Sequence, residues 1–318
     1  MRQDLSHSER VYQTAHNTAA AATSPVAASW SRCLNLYRLQ PEVTRKPTRL
    51  DNQAYREARE RMDVLLSSSA EEMDRLYQIV GRSGCCIVLA DAEAVVIDRR
   101  SWIGDDEAFR ALGLWQQTVW SEASAGTNGI GTGLADERPV IIHQDQHFMS
   151  ANIGLSRVTA LIRDHLGRVT AALDVSTCRN DVTEMTLAIL SQAVRDAATR
   201  VESNLFRQAF TGARLVMVPQ AQSNAALLAV DADDLIVGAT RAARLALKLD
   251  DQVIAAGLPA SDVLLETKGE RTADLVKAER AALRRTLSRA QGNVTLAAQL
   301  LGISRATLHR KIKRLQLQ

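Results

Sequence analysis

The chain has only four cysteines in 318 residues, Cys33, Cys85, Cys86 and Cys178. None forms a C-x-x-C pair or stands with histidine at zinc spacing, so neither a disulfide framework nor a structural zinc site is expected. No stretch approaches the roughly 18 consecutive apolar residues of a membrane span, and the polar opening Met1 to Arg10 lacks the apolar centre of a signal peptide. A cytoplasmic protein with no membrane partner is the expectation. Gly-x-x-x-x-Gly-Lys-[Ser/Thr] occurs nowhere, which argues against a nucleotide-hydrolysing phosphate loop. Internal repeats and low-complexity tracts are missing as well. With 46% hydrophobic and 24% charged residues, disorder and coiled-coil readings fall away, and the length predicts two or three domains.

Acid is what the C-terminal end lacks. Residues 277 to 318 hold ten Lys or Arg against one acid, Glu279, for +9 in a chain whose net charge is +3. The first 276 residues therefore carry −6. A basic end on an acidic body predicts a domain that binds a polyanion.

Periodicity divides the rest into a multidomain α+β chain. Residues 1–50 read as a helical N-terminal arm, with Trp30, Cys33, Leu34 and Tyr37 on one face of a helix over 26–39 that Pro41 and Pro47 end. Residues 51–80 predict two consecutive helices broken at Ser67 to Ser69. From Gly84 the period shortens. Strands are expected at 85–90, 94–97, 139–143, 157–162 and 169–175, the first two forming a hairpin, and a long helix at 182–206 closes this 51–208 domain. A smaller segment at 213–266 follows, with strands at 225–230 and 235–237 around the turn Asp231 to Asp234 and a helix at 240–247. Polar residues at 267–274 read as a linker.

The last segment, 275–318, reads as an all-α helix-turn-helix. A helix over 276–290 breaks at Gln291-Gly292-Asn293, a short helix follows to Leu301, Gly302-Ile303 makes a tight turn, and Ser304 caps a third helix to Leu315. Such a turn needs a residue that tolerates positive φ, Gly302, and close helix approach needs small residues, Ala297 and Ala298. Leu308, Ile312 and Leu315 fall on the inward face. Recognition helices offer their N-terminal residues to base edges, so Ser304, Arg305 and Thr307 are the candidates for reading sequence, and Arg310, Lys311 and Lys313 for holding phosphates. The string from Asn293 through Gly302 to Lys313 resembles the Fis-type DNA-binding domain. That resemblance implies a homodimer formed through the preceding helix, 275–290. It also implies DNA contacts from Thr295, Ser304, Arg305, Thr307, His309, Arg310 and Lys311, with His309 where the family often carries Arg or Tyr.

A second unusual string is Trp120-Ser-Glu-Ala-Ser-Ala-Gly126-Thr-Asn-Gly-Ile-Gly131-Thr132. With Pro139-Val-Ile-Ile, Gln146-His147-Phe148, Ser29-Trp30-Ser-Arg32-Cys33-Leu34, Arg163-Asp164, Gly167 and Leu173-Asp174-Val175-Ser176, it is similar to the GAF sensor domain of acetoin-type, AcoR-like bacterial transcriptional activators. Where that family shows Cys and Pro in the strand before Arg163-Asp164, this chain has Arg157 and Leu161, so its effector need not be the family's usual one. Two readings of Trp120, Glu122, Thr127 and Asn128 stand side by side, a turn locked by Asn and Gly or the lining of an effector pocket. The 225–243 stretch resembles the start of a PAS domain, truncated. In the fuller family architecture an ATP-driven domain acting on sigma-54 polymerase would follow it, and no such domain fits before the DNA reader.

These expectations make the chain a one-component transcriptional regulator without cofactors. A small-molecule effector acts on the GAF-like domain, double-stranded operator DNA is the partner of the basic end, and RNA polymerase is a further partner. In the cell that implies a nucleoid-associated protein when bound to DNA. His143, Asp145 and His147 at i, i+2, i+4 offer the alternative of a metal- or gas-sensing regulator. A GAF-type redox enzyme is the reading from another class, and against it no cysteine falls near the glycine string, nor does a Ser/His/Asp or paired-carboxylate pattern.

Overall fold

A computed structural model describes residues 5–44, 47–81, 84–219, 225–264 and 275–315, so the 267–274 linker expectation lies outside the described residues. The chain divides into two compact units, Met1–Leu264 and Leu265–Gln318.

The first unit opens with α1 (His7–Ala15), α2 (Thr18–Thr23) and α3 (Pro25–Ser31). Each begins at a polar cap: Ser6 accepts from Glu9 N–H, Asn17 from Ala19 and Ala20, and Ser24 from Ala27, which satisfies orphan donors of the first turn. The apolar stripe expected over 26–39 is present, but the chain widens into a π turn at Arg32–Leu36. Trp30, Cys33 and Leu39 bury against Val11, Phe148 and Met149.

Helices α4 (Asn52–Arg61) and α5 (Asp63–Val80) come next. The break falls at Met62, and α5 runs straight through the serines where a break is expected. The reason is local. Ser67 and Ser68 donate back to the Val64 carbonyl at 2.9 and 2.7 Å and Ser69 to that of Leu66 at 3.2 Å, so their hydroxyls are satisfied inside the helix instead of competing with it.

The central sheet is formed by β1 (Cys85–Asp91) and β2 (Val96–Ser101), then, after α6 (Asp106–Ala111), α7 (Glu122–Ala125) and α8 (Gly129–Ala135), by β3 (Val140–His143), β4 (Ser156–Arg163) and β5 (Val169–Thr177). Its order is β2-β1-β5-β4-β3, antiparallel throughout. The two-residue period sorts the strands between two cores. Cys85, Ile87 and Leu89 join Val158, Ala160, Leu173 and Val175 under α5 and α9 (Glu184–Ala209). Cys86, Val88 and Ala90 turn to the other face with Phe109, Trp120 and Ile130. Burial raises both thiols, Cys86 to about 12, so neither is a ready nucleophile.

A second sheet, ordered β6 (Arg214–Met217), β7 (Leu227–Val230) and β8 (Ile236–Ala239), is followed by α10 (Arg241–Leu247), α11 (Asp251–Ala255) and α12 (Ala260–Leu264). Strand β6 escapes the pattern reading because its residues are exposed or only half-buried. Phe206 and Phe210, at the end of α9, pack on Leu227 and Ala229 and join this sheet to the first. The aspartate turn is structural. Asp231 accepts from the Asp233 and Leu235 N–H groups, both at 2.9 Å, and Asp234 takes φ +67° and pairs with Arg214.

The second unit is α13 (Leu275–Arg289), α14 (Val294–Leu300) and α15 (Arg305–Arg314). Leu283, Ala290, Ala297, Ala298, Leu308 and Leu315 form its core, with Ile312 packed beside them. Gly302 takes φ +64° between α14 and α15, the left-handed turn that glycine permits.

Candidate functional site

The basic unit presents its candidates unevenly. Ser304 caps α15, its hydroxyl accepting from Thr307 N–H at 3.1 Å. Arg305, His309 and Lys313, each four residues on, are exposed along one face, as positions one helical turn apart must be. Thr295 and Arg310 are exposed too, while Thr307 is half-buried. Lys311 is drawn back. It and Arg314 pair with Glu279 on α13, and those cations hold the Glu279 carboxyl below its usual range. The lone acid of the basic end is thus a brace between α13 and α15, and Arg310 and Lys313 are left as the outward cations of the phosphate set.

In the first unit the glycine string is forced by close packing. A Cβ at Gly131 would lie 2.4 Å from the Trp120 carbonyl oxygen, and one at Gly129 2.3 Å from Thr159 Oγ1 and 2.6 Å from Asp174 Oδ1. Asn128 caps α8, accepting from Gly131 N–H at 2.9 Å while its amide donates to the carbonyls of Trp120 and Gly126 at 2.9 and 2.8 Å. Glu122, with 2% of its side chain exposed, takes both Arg32 donors at 2.8 Å and the Ser29 hydroxyl at 2.5 Å. Thr127 meets the same Ser29 hydroxyl at 2.6 Å. Trp120 donates through Nε1 to the Gly113 carbonyl at 2.9 Å. The four residues singled out in the sequence therefore come together around the string, and their polar atoms have protein partners. Trp120 also lines a cavity of about 50 Å3 with Leu112, Val119, Ala125 and Met149. What the pattern reading missed is the arm. Ser29 and Arg32 supply half of this network, and the signal for them is their place in the Ser29-Trp30-Ser-Arg32-Cys33-Leu34 string of the GAF resemblance.

Next to the string lies an ion pair without solvent exposure. Arg157 on β4 donates from Nε and Nη2 to Asp174 Oδ2 on β5 at 3.2 and 2.9 Å, both side chains being 0% exposed. Asp174 also accepts from Thr159 at 2.5 Å and Ser176 at 2.6 Å, and the guanidinium lies 4.2 Å from the Trp120 ring centre. Such satisfaction of the remaining lone pairs is what lets a buried pair persist.

The metal alternative is corrected. Strand β3 ends at His143 and a 3-10 turn follows at Gln144–Gln146, so the i, i+2, i+4 residues do not share a strand face. His143 Nδ1 lies 2.8 Å from the Ser156 hydroxyl, Asp145 pairs with Arg10 at 2.9 Å, and His147 Nδ1 lies 2.9 Å from the Gln144 carbonyl oxygen. Among the described residues no group of three His, Cys, Asp or Glu could hold a metal. Burial instead drives the His147 imidazole down to about 3 from 6.5. A depressed folded value means that only the unfolded chain takes up a proton as pH falls below 6.5. The contribution of this residue is thus complete above pH 6.5 and lost on the way to about 3, by about 2 kcal/mol at pH 5. His147→Asn should flatten that slope in urea melts between pH 7 and 5, and an unchanged slope would place the proton elsewhere.

Comparison with known proteins decides the family. Residues 6–203 match the family model for the MimR N-terminal domain, more than half of the chain. The chain belongs to this family. Beyond the MimR N-terminal domain, residues 275–315 match the bacterial regulatory protein, Fis family, model. The acetoin catabolism regulatory protein of Cupriavidus necator is 31% identical over 225 residues, 69% of this chain and 34% of that one. The propane 2-monooxygenase operon transcriptional activator MimR of Mycolicibacterium smegmatis is 27% identical over 58% of this chain and 30% of its own length. The chain thus spans about a third of the length of these relatives. Among solved structures, the E. coli DhaR(N)-DhaL complex aligns with a TM-score of 0.51 at 17% identity, covering 71% of this chain and 76% of that one, a likeness of fold. Both curated relatives are named as transcriptional regulators, and the 275–315 match of this MimR-family chain is to a DNA-binding helix-turn-helix family. No helix among the described residues is long and apolar enough to cross a membrane.

Proposed function

We propose that this chain is a sequence-specific, DNA-binding transcriptional regulator whose first unit is a GAF-type sensor of a small effector, with 213–266 a truncated PAS-like segment. The observation that carries the reading is the capped recognition helix with Arg305, His309 and Lys313 exposed on one face, in the segment that matches the Fis family. The effector acts near Trp120, Glu122, Thr127 and Asn128, and two copies joined through α13 present recognition helices about one DNA turn, roughly 34–36 Å, apart. Operator binding by these residues acts by recruiting polymerase, occluding it or competing for operators.

The test is Arg305→Ala in the full chain. Removing a side chain that reads a base edge costs about 1–3 kcal/mol at one base position and relaxes selectivity there, whereas removing the Lys313 charge weakens every sequence alike and flattens the salt dependence by about one unit. Sequence selection on randomised duplex DNA and a salt titration read both. Undiminished discrimination by the Arg305 variant would take the reading role away from this helix.

A further inference from the structure

A cleft of about 190 Å3 opens between the later half of α9 and the start of α10, and none of its lining residues belongs to the glycine string. Thr199, Glu202 and Ser203, spaced i, i+3, i+4 and so on one helix face, form one wall, and Arg241, Ala242 and Leu245 of α10 form the other. Both walls are fixed. Phe206, one turn beyond Glu202, packs with Phe210 on Leu227 and Ala229. The Thr240 hydroxyl ties the head of α10 to the smaller sheet, donating to the Ala225 carbonyl at 2.7 Å and accepting from Leu227 N–H at 3.0 Å.

The two walls carry opposite charges that are not joined. Glu202 Oε1 accepts from Arg163 N–H, at the end of β4, at 2.8 Å, and the carboxylate has no ion pair among the described residues. Arg241 is exposed and makes no hydrogen bond or ion pair among the described residues, yet its charge reaches Glu202. Burial pushes the Glu202 carboxyl up to about 7, against the opposing pull of the Arg163 N–H and of the Arg163 and Arg241 charges. A carboxylate held in that way gains from a cation brought to it, because the pair offsets part of the lost hydration.

A ligand of one charge suits one wall and is repelled by the other: an anion at Arg241 faces the Glu202 carboxylate, and a cation at Glu202 faces the guanidinium. The geometry points to a binding site for a small zwitterion, an aliphatic amino acid, whose ammonium pairs with Glu202, whose carboxylate pairs with Arg241 and whose carbon chain lies along Ala242 and Leu245. A guanidinium takes a carboxylate through two parallel bonds, which fixes the orientation. Volume sets the size. An apolar cavity of roughly 150 Å3 takes benzene, so 190 Å3 takes a molecule somewhat larger, of the class of valine. The site goes beyond the sensor reading above and shares no residue with the effector region at Trp120, Glu122, Thr127 and Asn128.

The experiment is calorimetry on the full chain above pH 7, where Glu202 is ionised, with three probes: L-valine, isovalerate, which is valine without its ammonium, and isobutylamine, which is valine without its carboxylate. L-Valine is expected to bind saturably and about tenfold or more tighter than either of the others, because each of them gives up one charge-assisted contact. Two variants assign the contacts. Glu202→Gln, which keeps an acceptor for Arg163 N–H, should bind valine about tenfold more weakly and lose the preference for valine over isovalerate. Arg241→Gln should bind valine about tenfold more weakly as well, but lose the preference for valine over isobutylamine. A side chain that merely held the cleft open would weaken all three probes alike. Should the Glu202 variant fail to fold, the exposed Arg241 decides. Isovalerate binding as tightly as valine would make this an anion site, and isobutylamine doing so a cation site; either would overturn the proposal. So would valine that fails to saturate, the sign of a cleft filled by solvent only.

Discussion

Asp174→Ala is expected to lower the unfolding free energy of the first unit by about 3–5 kcal/mol, the usual cost of removing one partner from a fully buried ion pair. Arg157 would keep its charge with 0% exposure, and the Thr159 and Ser176 hydroxyls, both donating to Asp174, would lose their acceptor. The comparison that isolates the charge is the double replacement Arg157→Met with Asp174→Leu. It removes both charges at similar volume, and much of the stability should return. Urea melts of the single and double variants measure this directly. A single variant within about 1 kcal/mol of the parent would mean that water reaches the pair and relieves it.

Leu308→Ala should cost about 2–5 kcal/mol and should act on the second unit. Leu308 is 0% exposed at the centre of a core that Leu283, Ala290, Ala297, Ala298 and Leu315 complete. A core that small has little stability to spare, so operator binding should disappear with it. Since Met1–Leu264 forms a separate compact unit, the melting of that unit should be unaffected. Calorimetry that resolves two transitions, together with a binding titration, is the check. A variant that binds DNA normally would show that DNA itself stabilises the three helices enough to cover the loss.

The helix-turn-helix was legible because each of its devices is local: the cap at Ser304, the positive-φ turn at Gly302, small residues at Ala297 and Ala298, and an apolar stripe ending at Leu315. The five strands were legible as short apolar runs, though the second, expected at 94–97, lies at Val96–Ser101, where the run gives way to Asp98, Arg99 and Arg100 and backbone pairing with β1 carries it on. Long-range contacts were not. Glu122 looks like a free carboxylate in the sequence, and only the fold brings Ser29 and Arg32 to it across 93 and 90 residues. Glu279 looks like a stray acid until Lys311 and Arg314 are folded against it. His147 reads as part of a metal pattern because a straight strand was assumed; a turn of three residues defeats that geometry. Serines at 67–69 signal a break on propensity, and back-bonding within α5 overrides it.

Helix α9 has 26 residues, which at 1.5 Å each make a rod about 39 Å long. Leu187, Val194, Val201 and Leu205 hold it under the five-stranded sheet along nearly its whole length, and Phe206 and Phe210 carry its end into the smaller sheet. A rod gripped along its length moves as one piece. A displacement of the helix beside β4 would therefore reach β7 undivided, with no loop or hinge between.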